Sequence, residues 1–315
     1  MKHPPPIPAL LLAFVLLLAA CTKDDYAQCP GEVKIFFSLL SSESNPLEVD
    51  QMHLYIFNNC GTYLREYRDN AISRFDAQYF LDCPNLAPGS YRFVAWAGKE
   101  NGCYATTPAP FIPGKTTYKE ALLLLKHAGG VVESPMHHLF HSELQVAVTN
   151  QKDQRFTMPL TQLTNTIRVR IEGLPLENNT YILRIADNNC AYTFDRSFAL
   201  HEGHPSGETI TYTTHCTQDD SGHLNATLRV MRLMGSRRIP QLAIVNQADG
   251  KLLFPLDDQS GDLIEMILEA YTPNFDTTHT YDIVLRFFED DSTGLKVTVS
   301  INGWDVQSEE NELID

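Results

Sequence analysis

The sequence predicts an all-β protein of two tandem β-sandwich domains behind a lipoprotein signal peptide. Three observations carry that prediction. An apolar run closes on a cysteine preceded by small residues; short alternating strands recur with turn signals about every eight to twelve positions; helical periodicity is nearly missing. With 315 residues, 43% hydrophobic and 20% charged, the chain has the length of about two domains and enough apolar residues to give each a core.

The leader is read first. Residues 9–20 are uniformly apolar, Lys2 supplies a positive start, and Leu18-Ala19-Ala20-Cys21 closes the run. Twelve residues are too few to cross a bilayer core of about 30 Å as a helix, so the run is a secretory signal. Small side chains before a thiol let a peptidase seat the backbone and cut, leaving Cys21 as a new N-terminus that carries a diacylglyceryl thioether. Two or three acyl chains of this kind anchor stably where one is marginal. Lys23, Asp24 and Asp25 follow at once. They form either a short acidic export signal to the outer face of an outer membrane or an ordinary solvated linker. The expected division is therefore a signal peptide over 1–20 and a lipidated linker over 21–28.

The strands follow in order. Val33-Lys34-Ile35-Phe36-Phe37 opens the series; 52–57 alternates into the turn Asn58-Asn59-Cys60-Gly61, and Tyr63 and Leu64 begin the return strand. Pro88-Gly89 is a turn that feeds an aromatic and β-branched run ending at Gly98. Residues 118–126 are read as one short helix. Residues 144–148, 155–160 and 167–171 alternate again, as do 181–185, 209–213, 224–230, 242–245, 281–288 and 295–301. Asp290-Asp291-Ser292-Thr293-Gly294 is the hairpin turn between the last two, with calcium binding or glycan attachment as weaker readings. The polar run 149–153 suggests sandwiches over 29–150 and 151–315, each of ordinary domain size, although the same run also suits a hairpin loop.

Composition excludes more than it names. Loss of Lys2 with the leader takes the net charge from −15 to −16, and no basic cluster exceeds Arg237-Arg238, which argues against nucleic acid as a partner. With Cys21 set aside, Cys29, Cys60, Cys83, Cys103, Cys190 and Cys216 remain. An even number in an exported chain favours disulfides, with fifteen pairings open. No C-x2-C spacing supports zinc. His127, His137, His138 and His141 crowd one region, with a solvated loop preferred over a metal site. Tyr63, Tyr67 and Tyr79 offer faces for sugar stacking, but strands bury aromatics far more often. H-E-x-x-H, G-x-S-x-G and P-loop patterns are missing, so neither enzyme chemistry nor a cofactor is expected.

Several ordered pieces together resemble a known family. They are Cys29-Pro30, the strand and turn from Leu54 to Gly61, Leu86-Ala87-Pro88-Gly89-Ser90-Tyr91 with Val94-Ala95-Trp96, Leu139-Phe140-His141, and Leu163-Thr164-Asn165-Thr166-Ile167-Arg168-Val169. In order and spacing, with the lipid motif, they resemble the minor fimbrium anchoring subunits, the FimB-like fimbrillin-anchoring lipoproteins of Bacteroidia. The resemblance implies two transthyretin-like sandwiches, a fimbrillin shaft subunit as partner, and a place at the base of a fimbrium on the outer membrane. Asn58 and Asn59 depart from the Asp usual in the family's first turn.

Shaft fimbrillins resemble this chain too, but are typically cut after an arginine so that the first strand leaves. Here the first arginine after Cys21 is Arg65, beyond the first two expected strands. Lys23 and Lys34 leave a lysine-directed cut open. After Trp304, residues 305–315 are acidic and apolar only at Val306, Leu313 and Ile314, a poor donor for strand addition. The expectation is an anchor; the alternative is a tip adhesin or glycan-binding surface lipoprotein.

Overall fold

The computed structural model describes residues 32–41, 46–98, 102–132, 135–176, 180–197, 208–257, 259–292 and 294–306. The expected signal peptide and linker, with Cys21, Lys23, Asp24, Asp25 and Cys29, lie outside the described residues.

The chain is nearly all β. The first half builds one seven-stranded assembly in the order β3 (Tyr63–Asp69), β2 (Gln51–Asn58), β5 (Gly89–Gly98), β9 (Leu139–Val148), β10 (Gln154–Gln162), β1 (Val33–Leu39) and β4 (Phe80–Asp82). It folds into two leaves because β10 changes partners along its length. Gln154 to Leu160 run parallel to β1, whereas Thr161 and Gln162 pair with β9. Pro159 sits on the stretch where β10 is the outer strand, the position in a sheet that tolerates a residue with no N–H. The core lies between the two leaves: Ile35 and Phe37 of β1, Met158 and Leu160 of β10, and Leu81 of β4 meet Met52, Leu54, Ile56, Phe93, Ala95 and Phe140. Every one of these follows the period-2 rule of its strand.

The second half stacks two further sheets. One runs β15 (Thr217–Gln218), β16 (Leu224–Met231), β11 (Thr164–Glu172), β19 (Thr280–Asp290), β20 (Gly294–Ile301), β21 (Trp304–Asp305). The other runs β18 (Leu252–Phe254), β17 (Gln241–Asn246), β12 (Tyr181–Asp187), β14 (Ile210–His215), β8 (Val131–Val132). In β11, Ile167, Val169 and Ile171 enter the core while Arg168 and Arg170 face solvent. The remaining sheet, β6 (Tyr104–Thr107), β7 (Leu122–Leu125) and β13 (Ala191–Thr193), crosses between the halves. It joins β7 to β13 from the second half, as β8 joins β14. The outer faces of β2 and β5, through Tyr55, Phe57, Val94 and Trp96, belong to the second core, so these two strands are buried on both sides. That explains their continuous apolar runs.

Three expectations bear on the observed strand pairing. The polar run 149–153 is the turn from β9 to β10, closed by Thr149 N–H donating to the Gln154 Oε1 at 2.9 Å, and β10 continues the first assembly. The run is thus the hairpin loop that the sequence also allowed, and strand pairing passes from β9 and β1 to β16 and β19 around Leu163. Residues 118–126 hold the strand β7 and no helix, because four leucines in a row, three of them buried, pair with strands on either side. Among the described residues the α-helix is α1 (Leu263–Ala270), capped by the Asp262 carboxylate, which accepts from Ile264 N–H and Glu265 N–H. The cysteines are the third, with Cys29 outside the described residues. Among the described residues no disulfide links any two of Cys60, Cys83, Cys103, Cys190 and Cys216. Cys103 and Cys190 flank β7 on opposite sides, their carbonyls accepting from Lys126 N–H and Leu125 N–H. Two strand spacings of about 4.8 Å put them beyond the Cα separation of about 7 Å that a disulfide bridges.

Candidate functional site

The first feature bearing on function is the first strand. Strand β1 lies inside its leaf, parallel to β10 along its full length and antiparallel to β4 at Lys34, Ile35 and Phe36. Val33, Ile35 and Phe37 are 1%, 0% and 2% exposed. Its start is tied on both sides, since Glu32 C=O accepts from Gln154 N–H and Val33 C=O accepts from Cys83 N–H, both at 2.8 Å. Lys34, the residue that left a lysine-directed cut open, is held in this ladder with Nζ 3.4 Å from the Asp153 carboxylate and lies over the Phe80 ring. Arg65 lies on β3 opposite Ile56. A cut there would detach not one strand but both β1 and β2, which carry much of the first core.

The second feature is a cleft of about 590 Å3 between the outer face of β2, β3 and β5 and the strand β6. Alternation places Gln51, His53 and Tyr55 of β2 on this face, with Tyr63, Glu66 and Arg68 of β3 beside them and Trp96 of β5 at the back. Glu66 is the hub: its carboxylate accepts from Arg68 at 2.5 Å and lies 2.6 Å from His53 Nδ1. Burial alone would raise this carboxyl, but the hydrogen bonds from His53 and Arg68 outweigh it and hold it below the usual value. Burial, then the Glu66 charge, push the Tyr55 hydroxyl up. The aromatic wall is Tyr55, Tyr63 and Phe111, with ring centroids 5.3–6.4 Å apart. Such offset and edge contacts are the favourable ring geometries.

The remaining candidates fall into place singly. His141 is buried, with Nε2 2.9 Å from the Phe194 carbonyl, and burial lowers its pKa to about 4. His138 meets the Thr164 hydroxyl at 2.9 Å. No group of metal-ligating side chains gathers among the described residues. Tyr63 lines the cleft, Tyr67 donates to the Pro84 carbonyl, and Tyr79 packs on Phe37 and Phe75 in the first core. Asp290 closes the expected hairpin by accepting from Ser292 N–H at 2.9 Å. Sequence reading missed His53, Glu66, Arg68 and Trp96. The polar residues at alternate positions 51 and 53 of an otherwise apolar strand were the available signal.

Residues 26–310 match the family described as fimbrillin-A associated anchor proteins Mfa1 and Mfa2. The chain belongs to this family. Membership makes it a fimbria-associated surface protein. The fimbrial anchor protein Mfa2 of Porphyromonas gingivalis is 22% identical with a TM-score of 0.72, over 89% of this chain and all of that one. A Bacteroides thetaiotaomicron protein, named for an inferred polysaccharide-binding role, is 24% identical with a TM-score of 0.71, over 90% of this chain and all of the other. An inferred adhesin of Bacteroides ovatus is 17% identical with a TM-score of 0.69, covering 90% and 96%. These likenesses establish a shared fold. No curated protein matches the chain.

Proposed function

We propose that the protein is lipidated at Cys21, faces outward on the outer membrane, and holds a fimbria to the cell by binding a fimbrillin shaft subunit through its second half. The observation that carries this reading is β1, whose side chains complete the first core and whose ladder is intact on both sides. A shaft subunit that gives up its first strand to receive a neighbour's would need that strand to leave cheaply. An anchor needs the opposite, because the lipid is attached through it. Glu32 stands eleven positions after Cys21, a reach of at most about 36–40 Å when extended, so the first assembly would stand close to the membrane. The acidic Lys23-Asp24-Asp25 segment fits export to the outer face, and the two halves serve as sandwiches meeting at Leu163.

The test is Cys21→Ala with electron microscopy and immunoblotting of cells against culture medium. Fimbriae moving from the cells into the medium, with shaft polymerisation intact, is the expected result. Fimbriae that remain on cells at normal number while adhesion to a ligand is lost would replace the anchor with a tip adhesin.

A further inference from the structure

We propose that the cleft between β6 and the outer face of β2, β3 and β5 is a binding site for a short oligosaccharide. This function would be separate from anchoring and independent of the lipid. The volume of about 590 Å3 falls within the range of about 300–1,000 Å3 usual for small-molecule sites.

The first argument is an unmet polar group. Trp96 lines the cleft and is 3% exposed, and its Nε1–H is buried with no hydrogen-bond partner among the described residues. Leaving such a donor unmet is costly, and native structures keep few. Trp96 lines the cleft, so a ligand that brings an acceptor to the edge of its indole would remove that cost.

The second argument is the ordering of charge beside it. Glu66 is fixed by His53 and Arg68, so an acceptor carboxylate and a guanidinium donor stand in one place before any ligand arrives. Neighbouring hydroxyls on a pyranose ring, each both donor and acceptor, match that pair. The wall formed by Tyr63 and Phe111 matches the C–H face of the same ring. A lipid tail would bury Glu66 and Arg68 against hydrocarbon, at a cost. An added peptide strand would pair along a sheet edge, here β3 or β6, and would leave the cleft floor of β2 and β5, paired on both sides, with its polar pair unused. Carbohydrate is the class that uses the polar pair, the aromatic wall and the unmet donor together.

The test uses the full chain in detergent, labelled with 15N-tryptophan. The protein has two tryptophans, and Trp304→Phe removes the exposed one, which identifies the Trp96 indole resonance. A glycan array of neutral, amino-sugar and uronic-acid oligosaccharides finds a binder, which is then titrated. The expected result is a saturable shift of the Trp96 indole N–H and at least about tenfold weaker binding by Arg68→Ala, as for loss of a charge-assisted hydrogen bond. Arg68 is largely exposed, so its variant is expected to melt as the parent does. Phe111→Ala, in the aromatic wall, gives a second reading should Arg68→Ala fail to fold. An array without a binder, a titration that moves only the Trp304 resonance, or full affinity in both folded variants would overturn the assignment.

Discussion

The burial of β1 sets the size of the effect expected when it is disturbed. Ile35 is the central inward residue of that strand, wholly buried, opposite Phe156 of β10 and Leu81 of β4. An Ile→Ala change in a core costs about 2–5 kcal/mol, more where the surroundings cannot collapse into the gap. Here two ladders fix the backbone, so about 3–4 kcal/mol is expected for Ile35→Ala. The neighbouring Phe36 is half-buried on the other face, against Phe80 at 5.3 Å between ring centroids. Phe36→Ala in the same strand should cost about 1 kcal/mol, the order of one surface aromatic pair. Urea unfolding is followed by the fluorescence of Trp96, which sits on β5 of the first assembly with its ring in the second core and so reports the packing of the two together, with Trp304→Phe as background. With a slope of about 2 kcal/mol per molar urea, Ile35→Ala should lower the midpoint by about 1.5–2 M and Phe36→Ala by about 0.5 M. Midpoints that fall equally, or an Ile35→Ala midpoint that does not move, would mean that β1 is not integral to the fold. The case for an anchor from a retained first strand would fall with it.

Two further predictions concern titrating groups. His141 is neutral in the fold, its pKa lowered by burial from 6.5 to about 4, so below pH 6.5 the unfolded chain binds a proton that the folded chain refuses. Stability is therefore lost as pH falls from about 6.5 to about 4, by roughly 3 kcal/mol from this group; His138, also lowered to about 4 by burial, acts in the same window, so His141→Gln should reduce the slope in part in denaturation curves at pH 7 and 4.5, and an unchanged slope would assign the loss elsewhere. Cys60 is exposed at a hairpin tip, whereas Cys83 is buried and its thiol pushed up to about 12, by burial first and by Asp82 second. Iodoacetamide at pH 8 should label Cys60 in the native protein and Cys83 only after denaturant, and a crosslink between any two of the five described cysteines in non-reducing mass spectrometry would contradict this arrangement.

The strands were legible where a local rule determines them. Ile167-Arg168-Val169-Arg170-Ile171 alternates because one face of β11 is core and the other solvent. The strand from Tyr91 to Gly98 was legible despite lacking alternation, because its turn and its aromatic and β-branched content are strand signals. The helix α1 was legible in principle: Asp262 with Glu265 three positions on is a capping pair, and Leu263, Ile264, Met266 and Ile267 mark one face. Its eight residues are short enough to escape a search for longer periodicity. What no local rule reveals is partnership. The pairing of Val33–Leu39 with Gln154–Gln162 joins segments more than a hundred residues apart, and the capture of β7 by β13 moves a first-half segment into the second half. The cleft was hidden for the same reason. Its residues come from β2, β3, β5 and β6, and only the fold brings them together.

The mode of attachment follows from where β1 sits. Under the anchor reading the pull of a filament on a lipid-held protein enters the fold at Glu32, the first described residue before β1. An edge strand under such a pull could peel away from a single neighbour. Strand β1 has a neighbour on each side, β10 along its whole length and β4 at its middle, and it inserts Val33, Ile35 and Phe37 between the leaves. To leave, it must break both ladders and expose all three side chains, at about 1.5–3 kcal/mol each for the apolar burial alone. Because β10 also pairs with β9 through Thr161 and Gln162, load on β1 passes directly into the opposite leaf. The same strand that completes the core is thereby the strand best placed to carry the tether.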